Sequence, residues 1–193
     1  MTKEQIEAIQ KKIGTTVDGF WGPMSTAACQ KHLRDMMPTP HPFPKRSGLE
    51  EFYGPHGVKN LTGPRTKKIT LPFPIHYGTS VINSLSPHEK CADSLLRVFE
   101  RLAKWTHEER ERAGVHEYDG IYNPRPMRGG SSWSMHSWAI AIDLNASANG
   151  NRTHWPTRAS MPLEVMECFA AEGWTPAGAF WSRDAMHFEA VQP

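Results

Sequence analysis

The stretch that decides the fold reads Ser134-Met135-His136-Ser137-Trp138-Ala139-Ile140-Ala141-Ile142-Asp143-Leu144-Asn145. Small and branched residues alternate from Ala139 to Leu144, which predicts a β-strand, because successive side chains of a strand point to opposite faces. The branched residues form one face, suited to a hydrophobic core. The two alanines and Asp143 form the other face, which leaves room beside the carboxylate. His136 lies just before the strand, where the chain can bend back toward Asp143.

A second segment, Asp184-Ala185-Met186-His187-Phe188-Glu189, shows the same alternation. Met186 and Phe188 fall on one face of the predicted strand, and His187 and Glu189 fall on the other. An apolar face opposite a His/Glu face is typical of a strand that borders a half-buried site.

The two segments together supply two imidazoles and one carboxylate, from His136, Asp143 and His187. Catalytic zinc sites use three protein ligands and keep a fourth position open, so these residues are candidate ligands of one Zn²⁺ per chain. The same ligand types also accept manganese or cobalt. Asp184 lies three residues before His187 and is a candidate general base. Each residue alone is more often a packed or turn residue, so only the joint pattern indicates a metal site.

The rest of the chain divides into three parts. Residues 1–36 predict two short helices, the first with an apolar stripe that includes Ile6 and Ile9. Residues 37–48 contain four alternating prolines and predict a stiff, extended linker. Residues 49–193 form the main domain.

The main domain predicts an α+β fold, with a small antiparallel sheet and flanking helices that carry the zinc site. Ser86-Pro87-His88-Glu89 predicts a helix start, since serine caps helices and proline suits the first turn. Another helix is predicted to start at 160–162 and end at Gly173. Residues 49–85 are expected to be largely irregular, with Pro72 and Pro74 limiting any strand to a sheet edge.

Composition excludes several classes of protein. The 193 residues are 38% hydrophobic, enough for a real core, which excludes a disordered chain. No apolar run approaches the roughly 20 residues that cross a bilayer, and the polar opening stretch predicts no secretory signal. A net charge of +2 does not argue for nucleic acid. Three widely spaced cysteines suit a reducing cytosol and make no zinc-knuckle or disulfide pattern.

The motif Ser-x-His-x-x-(small)-x-Ala-x-Asp, followed by Asp-x-x-His-Phe-Glu, resembles the zinc peptidases of the D-Ala-D-Ala carboxypeptidase/L-alanyl-D-glutamate endopeptidase family. That family includes vancomycin-resistance D,D-peptidases and many bacteriophage endolysins. The resemblance runs from about Leu49 to the C-terminus and is most specific over residues 118–145 and 173–189. It implies that His136, Asp143 and His187 bind zinc. The family usually carries glycine where this chain has Ala139.

The resemblance also implies roles for further residues. Family carboxypeptidases tend to place glutamate three residues before the last histidine, and the endopeptidases tend to place aspartate there, so Asp184 favours an endopeptidase. An arginine near residues 122–130 holds a substrate carboxylate or polarises the scissile carbonyl in the family. Arg125 and Arg128 are both candidates, and we expect at least one to pair with an acidic residue instead.

Three more residues are candidates with an ordinary structural alternative. Ser134 is a candidate for substrate binding or a simple turn hydroxyl. Trp181 is a candidate wall of the cleft or a core tryptophan. Glu189 is a candidate partner that orients a ligand histidine, or a solvated strand residue.

The N-terminal unit has its own resemblance. Gln10, Asp18-Gly19-Phe20-Trp21-Gly22-Pro23, Thr26-Ala27-Ala28 and Gln30 resemble the helical peptidoglycan-binding module. The alternative is that residues 1–36 only pack on the main domain.

Taken together, the resemblances imply a zinc metallopeptidase with bacterial peptidoglycan as its partner. They favour a bacteriophage endolysin, a bacteriolytic hydrolase that cleaves the L-alanyl–D-glutamate bond of stem peptides, and we expect it to be a monomer. We expect it in the host cytoplasm before lysis and at the cell wall after release, with neither nucleic-acid binding nor membrane insertion. Two alternatives stay open: a D-alanyl-D-alanine carboxypeptidase, and a non-catalytic wall-binding protein.

Overall fold

A computed structural model describes residues 1–59, 62–127 and 129–193, and within them it confirms the α+β class. The helices of this part are α1 (Lys3–Lys12), α2 (Pro23–Met36), α3 (Leu49–Tyr53), α4 (Glu89–Leu102), α5 (His107–Ala113), α6 (Ala146–Asn149), α7 (Leu163–Ala170) and α8 (Ala177–Trp181). The strands are β1 (Ile69–Tyr77), β2 (Ser80–Leu85), β3 (Tyr118–Gly120), β4 (Ala141–Leu144), β5 (Thr175–Pro176) and β6 (His187–Glu189).

The larger sheet has four antiparallel strands in the order β3-β4-β6-β5. Across β4 and β6, Asp143 lies opposite His187, and Ala141 lies opposite Glu189. On the other face of β6, Phe188 stacks on Phe169 of α7 with ring centroids 3.9 Å apart. The core therefore fixes which face of β6 carries its polar residues.

The strand predicted to start at Ala139 begins two residues later, at Ala141. Ala139 ends a short 3-10 helix, Met135–Trp138, with φ of 57°, in the left-handed region. Glycine adopts this region without a steric penalty, whereas other L-residues rarely do. This conformation explains why glycine suits the position that Ala139 occupies.

The helix predicted to start at Ser86 begins instead at Glu89, with His88 as its N-cap. Tertiary hydrogen bonds hold the preceding residues extended: the Pro87 carbonyl accepts from the Lys67 amide at 3.0 Å, and the His88 amide donates to the Ala139 carbonyl at 2.8 Å. The imidazole of His88 accepts from the Lys90 amide and caps the helix. Serine is a good cap, but these longer-range bonds override it.

Residues 49–85 are more regular than expected, since they contain α3 and the hairpin of β1 and β2. The prolines of β1 occupy exposed positions that alternate with buried Leu71, Phe73 and Ile75. The register shifts between Thr70 and Ile75, and the hairpin stays a two-stranded sheet. The prolines thus interrupt the ladder without preventing the strand, because β1 is an edge strand of a two-stranded sheet, as the sequence predicts.

The N-terminal unit shares the core of the main domain. Cys29 and Leu33 of α2 are fully buried and belong to the same hydrophobic cluster as α4 and α7. On the surface of this contact, Glu167 accepts from Lys12 and contacts His32, each at 2.7 Å. The buried Gln10 binds the Asp18 carboxylate at 2.8 Å and so organises the turn between α1 and α2.

The proline-rich segment 37–48 lies against the main domain. Phe43 is buried and packs edge-on against Trp174 at 5.9 Å, and the Pro44 carbonyl accepts from the Gln192 amide at 2.9 Å. The segment is therefore part of the packed surface. Among the described residues, no helix combines the length and apolar character needed to cross a membrane.

Candidate metal centre

Three buried side chains meet at the polar face of the larger sheet. The carboxylate of Asp143 lies 2.9 Å from Nδ1 of His187, its cross-strand neighbour, and 3.3 Å from Nε2 of His136. The same two nitrogens lie 3.3 Å from each other. The 3-10 helix before β4 delivers His136, so the bend expected from the sequence does bring it back toward Asp143.

The outer nitrogens of both histidines have their own acceptors. Nδ1 of His136 lies 3.1 Å from the Ile121 carbonyl, and Nε2 of His187 lies 3.2 Å from the Glu189 carboxylate. Those groups accept hydrogen bonds, so the outer nitrogens carry the protons and the inner ones keep free lone pairs. Metal-binding histidines are held in this way. Two such nitrogens and one carboxylate, all buried, fit a zinc-type divalent ion.

The carboxylates and imidazoles of this centre shift one another's pKa in opposite directions. Burial would raise the pKa of Asp143, but hydrogen bonds to His136 and His187 outweigh it and hold the pKa well below its ordinary value. Burial would lower the pKa of His187, but the carboxylates of Asp143 and Glu189 outweigh it and raise that pKa. A divalent cation supplies the same compensating charge, so proton and metal compete for this site.

Glu189 is anchored by a residue that the sequence did not single out. Arg46 donates from Nη2 to both carboxylate oxygens of Glu189, at 2.7 and 3.0 Å. Glu189 is buried and in turn contacts His187, so it is not a solvated strand residue. Nothing in the proline-rich segment marks Arg46 as a partner, because it lies 143 residues from Glu189 along the chain.

Asp184 lines the same cavity as the three candidate ligands. Its backbone is left-handed, with φ of 61°, and its carbonyl accepts from the His187 amide at 2.9 Å. Its Oδ1 is buried without a hydrogen-bond partner among the described residues. Burial raises the pKa of Asp184 above its ordinary value. A partly desolvated carboxylate that faces a metal site is suited to accept a proton.

The cavity has a volume of about 1200 Å³. Its lining includes four further residues predicted from the sequence, Arg125, Ser134, Trp181 and Glu189. Trp181 stacks on the His187 ring at 5.5 Å and is 38% exposed, so it forms a wall rather than part of the core. Ser134 is buried at the start of the 3-10 helix.

Arg125 lines the cavity, and among the described residues its guanidinium contacts only the Pro126 carbonyl, at 3.4 Å. No described acidic residue pairs with it. Arg128 lies outside the described residues. Further polar residues line the cavity that the sequence pattern did not indicate, namely Asp119, Asn123, Asn151, Arg152 and Arg183.

Comparison with known proteins agrees with this geometry. Residues 128–190 match a zinc-peptidase family model described as D-alanyl-D-alanine carboxypeptidase. The matched segment contains His136, Asp143, Asp184 and His187, and it indicates a metallopeptidase of a zinc-dependent family. The N-terminal unit lies outside the match. No curated protein and no solved structure matches the chain significantly.

Proposed function

We propose that this protein is a zinc-dependent peptidoglycan hydrolase that cleaves the L-alanyl–D-glutamate bond of stem peptides. One observation carries the proposal: three buried ligands and the unpartnered carboxylate of Asp184 line one open cavity. The match to a D-alanyl-D-alanine carboxypeptidase model supports a peptidoglycan-type substrate.

His136, Asp143 and His187 would hold the metal in this proposal. A bound zinc ion would polarise the scissile carbonyl and lower the pKa of the attacking water. Glu189 and Arg46 keep the His187 ring in place, which preserves the tautomer that ligation needs.

Asp184 is the proposed general base. Its buried Oδ1 has no described partner, so it is free to take a proton from the attacking water and to pass it to the leaving amine. Its raised pKa makes the carboxylate a stronger base than an ordinary, fully solvated aspartate, which favours the first of these two transfers.

The basic side chains around the cavity suit an anionic peptide. Arg125 is proposed to bind a substrate carboxylate or the developing oxyanion, as a guanidinium fork can do for either group. Arg128 is proposed as the alternative for the same role. Ser134 and Trp181 complete the proposed substrate contacts, the tryptophan as a flat wall beside the His187 ring.

The choice of bond rests on Asp184, because the resemblance associates aspartate at this position with endopeptidases and glutamate with carboxypeptidases. The second candidate is a D-alanyl-D-alanine carboxypeptidase, which the description of the matching family model favours. Both candidates use the same metal centre and the same base.

We also propose a biological setting, a phage endolysin that acts as a monomer on the bacterial wall after release from the host cytoplasm. Residues 1–36 are proposed to bind peptidoglycan. Their exposed apolar side chains support this role, since Phe20 is 73% and Met24 72% exposed. The buried face of the same unit packs on the main domain, so wall binding and packing are compatible.

Purified muropeptides of defined structure test the proposed reaction. The endopeptidase is expected to release peptides that begin with D-glutamate, whereas the carboxypeptidase would release terminal D-alanine. Asp184→Asn serves as the inactive control. Binding to sacculi with no product of either kind would favour the non-catalytic wall-binding protein.

A further inference from the structure

A second cluster of histidine and carboxylate side chains lies at α5, built from residues outside the proposed catalytic centre. His107 and Glu111 are one helical turn apart on α5, and His116 follows in the connection to β3. One ligand atom of each residue lies within 4.8 Å of the others. Oε1 of Glu111 is 3.6 Å from Nε2 of His116 and 4.0 Å from Nε2 of His107.

His116 is the residue that makes this cluster more than a surface ion pair. Its side chain is only 8% exposed, and its Nδ1 donates to the Pro74 carbonyl at 3.0 Å. That bond leaves Nε2 on the side of Glu111, where it is buried with no hydrogen-bond partner among the described residues. A buried polar atom without a partner is costly, so this nitrogen calls for a partner that the described residues do not supply, a water molecule or an ion.

The two distances from Glu111 fit a shared cation better than direct hydrogen bonds. Gaps of 3.6 and 4.0 Å are too long for a hydrogen bond between these groups. A zinc-type ion lies about 2.0–2.2 Å from nitrogen and oxygen ligands, so two ligands of one ion stand up to about 4 Å apart. The Pro74 carbonyl also holds His116 by its other nitrogen, as metal-binding histidines are usually held.

We propose that His107, Glu111 and His116 form a second divalent metal site, of zinc or copper type. Two imidazoles select such ions over calcium and magnesium, which prefer all-oxygen sites. The two exposed residues leave room for water to complete the coordination.

The position of the site assigns it a structural role. His116 is joined to β1 through Pro74, and the next residue, Glu117, accepts from the Asn145 amide at 2.8 Å, directly after β4. A metal bound by His107, Glu111 and His116 would link α5 to the segment 116–117, which contacts both β1 of the hairpin and the end of β4.

Titration of the metal-free, full-length chain tests the proposal. Co²⁺, whose visible spectrum reports each filled site, and Zn²⁺, followed by calorimetry, are the probes. The wild type is expected to bind two ions, and His107→Ala and Glu111→Gln are expected to bind one. Glu108→Gln removes an exposed carboxylate from the same helix and is the matched control, expected to bind two.

Asp143→Ala separates this proposal from the proposed catalytic centre. It is expected to retain the ion of the second site alone. If the wild type binds one ion, which Asp143→Ala loses and Glu111→Gln keeps, the second site does not exist. If Asp143→Ala binds as many ions as the wild type while Glu111→Gln binds one fewer, the second site stands and the catalytic centre is wrong.

The structural role has its own readout. The unfolding midpoint of the wild type is expected to rise when Zn²⁺ increases from one to two equivalents, and that of His107→Ala is expected to stay constant. An equal rise in both chains would overturn the structural role.

Discussion

Asp143 and His187 lie directly opposite each other on β4 and β6, with carboxylate oxygen and ring nitrogen 2.9 Å apart. This pairing places two candidate ligands on two buried strands that are hydrogen-bonded to each other. Opposed residues of an antiparallel ladder have fixed separations, so the sheet itself sets the geometry of the metal centre.

Asp184→Asn should abolish most of the activity and leave the metal in place. An amide cannot accept the proton from water, and general base catalysis is typically worth about 10²–10⁴-fold in rate. The measurement is kcat on a defined muropeptide, with zinc content measured in the same preparation. Full activity in the zinc-loaded variant would show that another group serves as the base.

Glu189→Gln should weaken zinc binding, because a neutral amide accepts the hydrogen bond from Nε2 of His187 less strongly than a carboxylate does. Loss of such a partner typically lowers metal affinity about 10–100-fold. Competition with a chromophoric chelator measures the effect. Glu100→Gln, an exposed change on α4, is the control and should bind zinc like the wild type. An equal affinity in both variants would exclude Glu189 from the metal centre.

His88 should make the fold sensitive to mild acid. Burial lowers the pKa of His88 below its ordinary value of 6.5, so the unfolded chain binds the proton more readily. The stability linked to neutral His88 is present above about pH 6.5 and is lost as the pH falls, because protonation of Nδ1 breaks the cap to Lys90.

Urea unfolding between pH 7 and 5 measures this effect in the wild type and in His88→Asn. Asparagine also caps helices but does not titrate, so the variant should lose less stability over this interval. The same pH dependence in both proteins would show that His88 does not contribute.

The N-terminal unit should unfold together with the main domain. Leu33→Ala removes a fully buried side chain from the shared core and should cost about 2–5 kcal/mol. Met24→Ala on the same helix changes an exposed side chain and should cost about 0.5 kcal/mol or less. Calorimetry should give one transition for each variant. A separate early transition in Leu33→Ala would identify residues 1–36 as an independent module.

The polar face of the site could be predicted from the sequence, because side chains along a strand alternate between its two faces. In β6, the apolar Phe188 determines that His187 and Glu189 share the opposite face. The α+β class follows from the same patterns. Neither result needs knowledge of which strand pairs with which.

Contacts between distant parts of the chain could not be predicted in this way. Arg46 contacts Glu189 from a segment that the sequence predicts to be a linker. Tertiary hydrogen bonds of Pro87 and His88 make α4 begin later than its sequence predicts. The free nitrogen of His116 depends on the Pro74 carbonyl, 42 residues away. Such interactions leave no periodic trace in the sequence.

Metal content in the Glu111→Gln background tests the central claim most directly, since this variant lacks the proposed second site. With the His136, Asp143 and His187 centre intact, one tightly bound Zn²⁺ per chain is predicted. Asp143→Ala or His187→Ala added to this background should leave no tightly bound zinc, with the fold retained by circular dichroism. One zinc per chain in those folded double variants would contradict the account.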